Sequence, residues 1–230
     1  MNAMDRILQS KFWSVASQFL ITSLIFLGLI LLAWGTDDLT GYFLNPVRVS
    51  YAIIVGIQTI VNSWMVYITP KHSEQKQDYD VARWHVYVFE AILVLAAFDD
   101  RRNMLAWSDN MPLRWMGLVI YLSGWCLALW TNTAWISHLR RQGEFACENP
   151  VLMFEGPYKW IRFPALLYLT IYGLGIALLF RSWMGLMLMI PLIWGIVIRI
   201  NGLEKIYEVR YKKVWSLRRH TSKRLIPRVY

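Results

Sequence analysis

Residues 156–230 hold the side chains whose types and spacing could do chemistry. The stretch opens with Gly156-Pro157-Tyr158, passes through Arg162 and Pro164, and later presents Arg199, Glu204, Tyr207, Tyr211 and Trp215. Glycine lets a backbone approach a ligand closely and proline fixes the bend, so this turn could aim main-chain groups at a bound molecule. The tripeptide also reads as an ordinary entry into a helix, with Pro164 in the first turn, where its missing N–H costs nothing. Arg199 can orient an acidic group or stabilise developing charge, or it can anchor a helix end at the membrane interface. Glu204 can take a cationic ligand group, or pair with its basic neighbours in solvent. Glu204, Tyr207, Tyr211 and Trp215 recur every three or four residues while Lys205, Lys212 and Lys213 fall off that line, so one aromatic stripe faces protein or lipid.

What brings these groups together is the segment between them. Two apolar runs, residues 163–180 and 183–198, are joined by Arg181-Ser182 alone, so the second helix must fold straight back along the first. The Gly-Pro-Tyr turn and the tail beginning at Arg199 then share one end of a helical hairpin. The aromatic tail helix is read as a lid, an interfacial anchor or a docking strip. Its basic run Arg218, Arg219, Lys223 and Arg224 would attract anionic lipid.

The order of these motifs resembles the integral-membrane methyltransferases of the isoprenylcysteine carboxyl methyltransferase type. The residues carrying the likeness are Arg114, Trp115 and Gly117, then Gly156, Pro157, Tyr158, Arg162 and Pro164, then Arg199, Glu204, Tyr211, Trp215, Ile226 and Pro227. The end of the chain is also similar to the membrane sterol reductases, which are related in fold. The resemblance covers the second half of the chain. It implies S-adenosylmethionine as cofactor, with Arg162 on its carboxylate, Glu204 on its amino group, and Tyr158, Tyr207 or Trp215 on the ring or the cationic centre. Gly156 and Pro157 would shape that site, and Arg199 would orient an acceptor carboxylate or stabilise developing charge. The chain departs from the family pattern at Phe163, Leu166 and Tyr168, which stand for its His, Tyr and Gly, at Leu203 for the first of its paired Glu residues, and at Tyr211-Lys212 for its Phe-Gly.

With 230 residues, 57% hydrophobic and 17% charged, the chain is too apolar for a soluble domain and suits one polytopic membrane domain. A bilayer core of about 30 Å takes roughly 20 apolar residues per helix. Six segments are predicted to span: residues 12–34, 49–68, 81–98, 113–136, 163–180 and 183–198. The expected fold is therefore all-α and polytopic, with a C-terminal hairpin and a tail helix. Residues 1–110 form a three-helix scaffold and 111–230 the methyltransferase-like part, within one structural unit. Placing the N-terminus in the cytoplasm puts 19 of the 24 Lys and Arg residues on that side, which predicts both termini cytoplasmic. The net charge of +9 is then mostly topology, and with no basic soluble domain a nucleic-acid partner is not expected. The first apolar run reads as a retained span rather than a cleavable signal.

Other features read as structural. Cys126 falls mid-membrane and Cys147 in a loop, so both are expected reduced. Four scattered histidines and two separated cysteines match no metal-ligand template. Trp34, Tyr42 and Phe43 are assigned to the interfacial aromatic belt. Asn62 and Ser63 suit helix-to-helix hydrogen bonding. Residues 71–80 make a solvated connector, and Glu90 is expected to find an Asn or Trp donor. Asp99, Asp100, Arg101 and Arg102 are expected to pair among themselves at a helix end. Two functions stay open. One is a divergent S-adenosylmethionine-dependent methyltransferase whose lipophilic acceptor enters from the bilayer between the fifth and sixth helices. The other is a non-catalytic subunit of that fold, serving a larger membrane complex.

Overall fold

The computed structural model describes residues 3–69, 83–142 and 152–225. The connector 71–80, Glu144, Cys147 and Glu148, and Ile226 and Pro227 of the tail lie outside the described residues. Eight α-helices are described: α1 (Ala3–Ser23), α2 (Leu29–Trp34), α3 (Leu39–Phe43), α4 (Pro46–Ile68), α5 (Trp84–Arg102), α6 (Met111–Gln142), α7 (Pro164–Leu179) and α8 (Trp183–Thr221). A π-helical turn, Leu24–Gly28, joins α1 to α2. Within that turn the Phe26 carbonyl accepts a 2.7 Å hydrogen bond from the Tyr51 hydroxyl, which satisfies a polar pair where lipid could not. No strand occurs among the described residues, only isolated bridges between Ala106 and Ser182 and between Ile161 and Lys223.

Among the described residues, four stretches are long and apolar enough to cross a membrane, namely Phe12–Trp34, Pro46–Ile68, Met111–Arg141 and Trp183–Lys212, and α7 is a shorter apolar helix. The expected all-α polytopic fold is thus found, and the protein is an integral membrane protein. The boundaries differ most at the C-terminus. There the predicted sixth span and tail helix are one element, α8, interrupted only at Lys212, whose φ of 42° and ψ of −114° break the helix.

Local chemistry explains the helix starts. Asn45 caps α4 by accepting from the Val47 and Arg48 amides, and Pro46 takes the first helical position. Ser182 caps α8 by accepting from the Gly185 amide at 3.0 Å while donating to Asp99 at 2.7 Å. Arg181, at φ 45°, makes the tight turn between α7 and α8, which holds Phe180, Arg181 and Ser182, one residue more than the expected linker.

Lipid offers no hydrophobic drive between helices, so close packing has to hold them together. On α6, a Cβ at Gly117 would lie 2.4 Å from the Leu179 amide nitrogen, and one at Gly175 of α7 would lie 2.6 Å from that of Tyr121. The two backbones touch, so the expected packing of α6 on the hairpin is present. Aromatic side chains from five elements fill the core, with Tyr121 and Tyr172 4.9 Å apart and Tyr51 and Tyr121 5.1 Å apart. Gln58 sits among them, accepting from Tyr121 at 2.6 Å and donating to Tyr172 at 3.3 Å.

The hairpin-turn end overturns two expectations. Asp99 to Arg102 do not pair among themselves. Asp100 is buried and accepts from Arg114 at 2.8 and 2.9 Å, Arg181 at 2.6 Å and Arg48 at 3.3 Å, so one carboxylate ties α5 to α4, α6 and the hairpin turn. Arg101 instead reaches the Trp34 carbonyl at 2.6 Å. Trp34 and Tyr42 are not belt residues either. Both are buried, with the Arg48 guanidinium 4.1 Å from the Trp34 ring centroid. Among the described residues nothing hydrogen-bonds to Glu90.

Asp100→Asn should destabilise the protein by about 3–5 kcal/mol, because it leaves three buried guanidiniums short of charge, whereas Asp109→Asn should cost at most about 1 kcal/mol. Asp109 is half exposed, and its hydrogen bond from Arg114 holds its carboxyl below the usual value. Its folded value lies below the unfolded one, so its small contribution is complete above the ordinary carboxylate range and fades as pH falls through the lowered value. Thermal unfolding in detergent across pH measures both effects.

Candidate functional site

At the opposite end of the bundle, the start of α7 and the end of α8 close on each other through main-chain atoms. The Arg162 amide donates to the Lys223 carbonyl at 2.7 Å, the Lys223 amide to the Trp160 carbonyl at 2.9 Å, and the Phe163 amide to the Arg224 carbonyl at 3.3 Å. Residues about 60 apart in sequence are thus paired like short strands. Gly156 precedes this pairing at φ 58°, with Ala134 of α6 only 2.7 Å from where its Cβ would lie. A side chain there would meet both strain and a wall, so the close approach that glycine permits is to α6. Pro157 is buried behind it.

Behind this closure lies a cavity of about 410 Å³, within the roughly 300–1,000 Å³ of small-molecule sites. Of the residues expected at a site, Tyr158, Arg162, Arg199, Tyr207 and Trp215 line it; Gly156, Pro157 and Glu204 do not. The aromatic stripe of α8 faces this cavity. Tyr207 packs edge-on against Trp215 at 5.2 Å and against Tyr211 at 5.5 Å, and stacks on Phe163 at 6.2 Å. Phe163, Leu166, Tyr168, Leu203 and Tyr211, all departures from the family pattern, line the walls and leave the space open.

Glu204 stands beside the cavity at the centre of an ion-pair network. Its carboxylate accepts from Arg162 at 2.5 Å and from Arg224 at 2.7 and 3.1 Å. It is 7% exposed and neither solvated nor held by its helix neighbours, so the expected local pairing is replaced by pairing across 42 and 20 residues. The lost second glutamate, Leu203, thus leaves one carboxylate serving two guanidiniums.

Four contributors were not foreseen as site residues. Thr131, Asn132 and Trp135 of α6 supply the far wall of the cavity. Their spacing over one helical turn is visible in sequence, but nothing there says which neighbour α6 meets. Arg218 was expected in a basic run of the tail that attracts anionic lipid. It is 2% exposed instead, donating to the Tyr158 carbonyl at 3.2 Å. Burial pushes its guanidinium down to about 10, with Tyr158 opposing the shift and Arg162 adding to it. Burial likewise raises the Tyr158 phenol above its ordinary value.

An all-α membrane bundle with a closed helical hairpin and an aromatic, cationic cavity at its open end defines the class of protein. Residues 112–211 match the phospholipid methyltransferase family, from the start of α6 to the residue before the Lys212 break. That stretch is under half of the 230 residues, and its match is similar in kind to the integral-membrane methyltransferase likeness that the motifs carry. Among curated proteins and solved structures no match is found. Arg218, Ser222 and Arg224 lie beyond the matched stretch.

Replacing Glu204 with Gln should cost about 3–5 kcal/mol, since Arg162 and Arg224 would both lose their counter-charge, and the pairing of residues 222–225 with the start of α7 should loosen with it. Arg224→Gln should cost less, because the Arg162 pair survives. Thermal unfolding and limited proteolysis of the 212–225 segment distinguish the two.

Proposed function

We propose that the protein transfers a methyl group from S-adenosylmethionine to a lipophilic acceptor in this cavity. The observation that supports it best is the cavity itself, built largely from the matched stretch and walled by Tyr158, Tyr207, Tyr211 and, just beyond that stretch, Trp215. The residues suit the cofactor's groups. Aromatic faces hold a cationic centre, the buried Trp215 indole N–H has no acceptor among the described residues, and guanidiniums stand by for a carboxylate. Bound there, S-adenosylmethionine would supply a methyl group on a positively charged sulfur.

The rest of the work falls to the chain. Methyl transfer by direct displacement depends on alignment, so the rigid Tyr207, Tyr211 and Trp215 ladder would orient the donor and exclude water. Arg199, buried on the same wall, would hold an acidic acceptor group or offset developing charge. Glu204 would take an ammonium only in competition with Arg162 and Arg224, so its first role is to position those guanidiniums.

For the acceptor's apolar part, a second cavity of about 380 Å³ adjoins the first and shares Asn132, Trp135 and Tyr168 with it. Its other walls come from α1 and α4, including Gln18, Thr22 and Asn62. We therefore place acceptor entry on the α1 and α4 side, in place of the gap between α7 and α8. By the basic-residue bias, the open end and both termini face the cytoplasm. A non-catalytic role within a membrane complex is the second reading, favoured by the engagement of Glu204 with two arginines.

Calorimetric titration of the detergent-purified protein with S-adenosylmethionine tests the first reading. Binding should be measurable and should weaken about tenfold in Tyr207→Leu, which keeps an apolar side chain but loses the π-face. A well-folded wild type that takes up no cofactor would leave the subunit reading.

A further inference from the structure

The second cavity differs from the first in charge. Arg162, Arg199 and Arg218 line the first, whereas the lining of the second holds no Asp, Glu, Lys, Arg or His. It holds neutral polar side chains on membrane-spanning helices instead: Gln18 and Thr22 of α1, Gln58 and Asn62 of α4, Asn132 of α6 and Tyr172 of α7. Hydrocarbon solvates none of these, so each needs a partner from the protein or from a ligand. Some find one in the protein. Gln18 donates to the Thr22 hydroxyl at 3.0 Å, and Gln58 accepts from Tyr121 at 2.6 Å and donates to the Tyr172 oxygen at 3.3 Å. That chain stops at the cavity wall, because no acceptor among the described residues meets the Tyr172 hydroxyl proton. The half-buried Asn62 and Asn132 carboxamides make no hydrogen bond to any described residue, so the helix-to-helix bond expected of Asn62 is not made. Asn62 sits about 9 Å along the axis from the Ile68 end of α4, at a rise of about 1.5 Å per residue, well below the headgroups.

We propose that the second cavity binds an uncharged lipid by a hydroxyl group, which Tyr172, Asn62 and Asn132 hold at membrane depth. A hydroxyl both donates and accepts, so it can take the Tyr172 proton, give its own to a carboxamide oxygen and accept from a carboxamide N–H. A bare alkyl chain would leave all three side chains unsatisfied. A carboxylate, phosphate or ammonium group would enter a lining that offers no counter-charge, which is the costlier mismatch. Phe26, Met65 and Trp135 supply apolar wall for the rest of the molecule. Because Asn132 lines both cavities, the site narrows the acceptor proposed above from lipophilic to uncharged and hydroxylated. It rests on that reading only for its place in the reaction, since lipid binding needs no methyl donor.

The test is photolabelling of the full chain in phosphatidylcholine nanodiscs, without methyl donor. The probe is hexadecanol with a diazirine in its chain, and labelled peptides are mapped by mass spectrometry. Label should fall on the stretches of α1, α4, α6 and α7 that line the cavity. Dodecanol should compete about fivefold better than dodecane or dodecanoate, as one or two net hydrogen bonds would give. Tyr172→Phe, which removes a single oxygen, and Asn62→Leu should each lower the labelling about fivefold. Thermal unfolding checks that each variant is folded, and the half-buried Asn62 decides the matter if Tyr172→Phe is not. Dodecane competing as well as dodecanol overturns the proposal, since the space would then be merely apolar. So does stronger competition by dodecanoate, which would mark a site for acids. Labelling that is unchanged in the folded variants, or absent from these helices in wild type, overturns it too. Labelling with the expected competition in a protein that takes up no S-adenosylmethionine would remove the methyl-transfer reading and leave the lipid site standing.

Discussion

Asp100 is the point on which the arrangement of helices depends. A carboxylate with almost no exposure to solvent can stay charged only if donors surround it, and its three arginines come from α4, α6 and the turn between α7 and α8. Arg114 does more than pair, since it also donates to the Leu179 carbonyl at 2.9 Å, an orphan acceptor at the end of α7. One acid therefore sets the relative height of four elements. With that end pinned and α6 in backbone contact with α7, the opposite ends of the same helices are held at a defined separation. The cavity occupies that separation.

The two ends repeat one chemical theme with different outcomes. At the turn end, one aspartate collects three arginines and the packing closes. At the open end, one glutamate collects Arg162 and Arg224, and the remaining guanidiniums, Arg199 and Arg218, stand in the cavity wall. Positive charge thus exceeds negative charge around the cavity, while its other walls are aromatic. Such a lining favours a molecule that carries both an anionic group and a polarisable or cationic one.

Most of the fold was legible because the constraints on membrane helices are severe. Length and apolarity place the spans, and a two-residue linker leaves the hairpin no other geometry. The aromatic stripe of α8 was legible from its spacing, but spacing left open whether it faced protein or lipid. What sequence could not give was the identity of partners. Asp100 sits beside Arg101 and Arg102, and local pairing is the natural expectation. Only the packing of α5 against α2, α7 and α8, which buries Asp100 within reach of Arg48, Arg114 and Arg181, shows that it has other arginines as partners. Trp34 looked like a belt residue for the same reason, because an aromatic near a span end faces lipid or a buried guanidinium with equal ease. At the site, Arg162 and Glu204 were expected to serve separate ligand groups, and their mutual pairing depends on a contact across 42 residues. Arg218 was hidden in a run of basic residues whose neighbours are exposed.

The closure of the tail onto the start of α7 is made from amides and carbonyls, together with the Glu204 pairs. Main-chain hydrogen bonds are indifferent to side-chain identity, so residues 222, 223 and 225 could change extensively and still shut the site while Arg224 keeps its pair with Glu204, provided the donating position 223 did not become proline. What they could not tolerate is a change of length. An inserted or deleted residue between Lys212 and Lys223 would rotate the helical turn that precedes the pairing and carry Trp215 and Arg218 off the cavity wall. In this segment spacing, more than composition, is the inherited quantity.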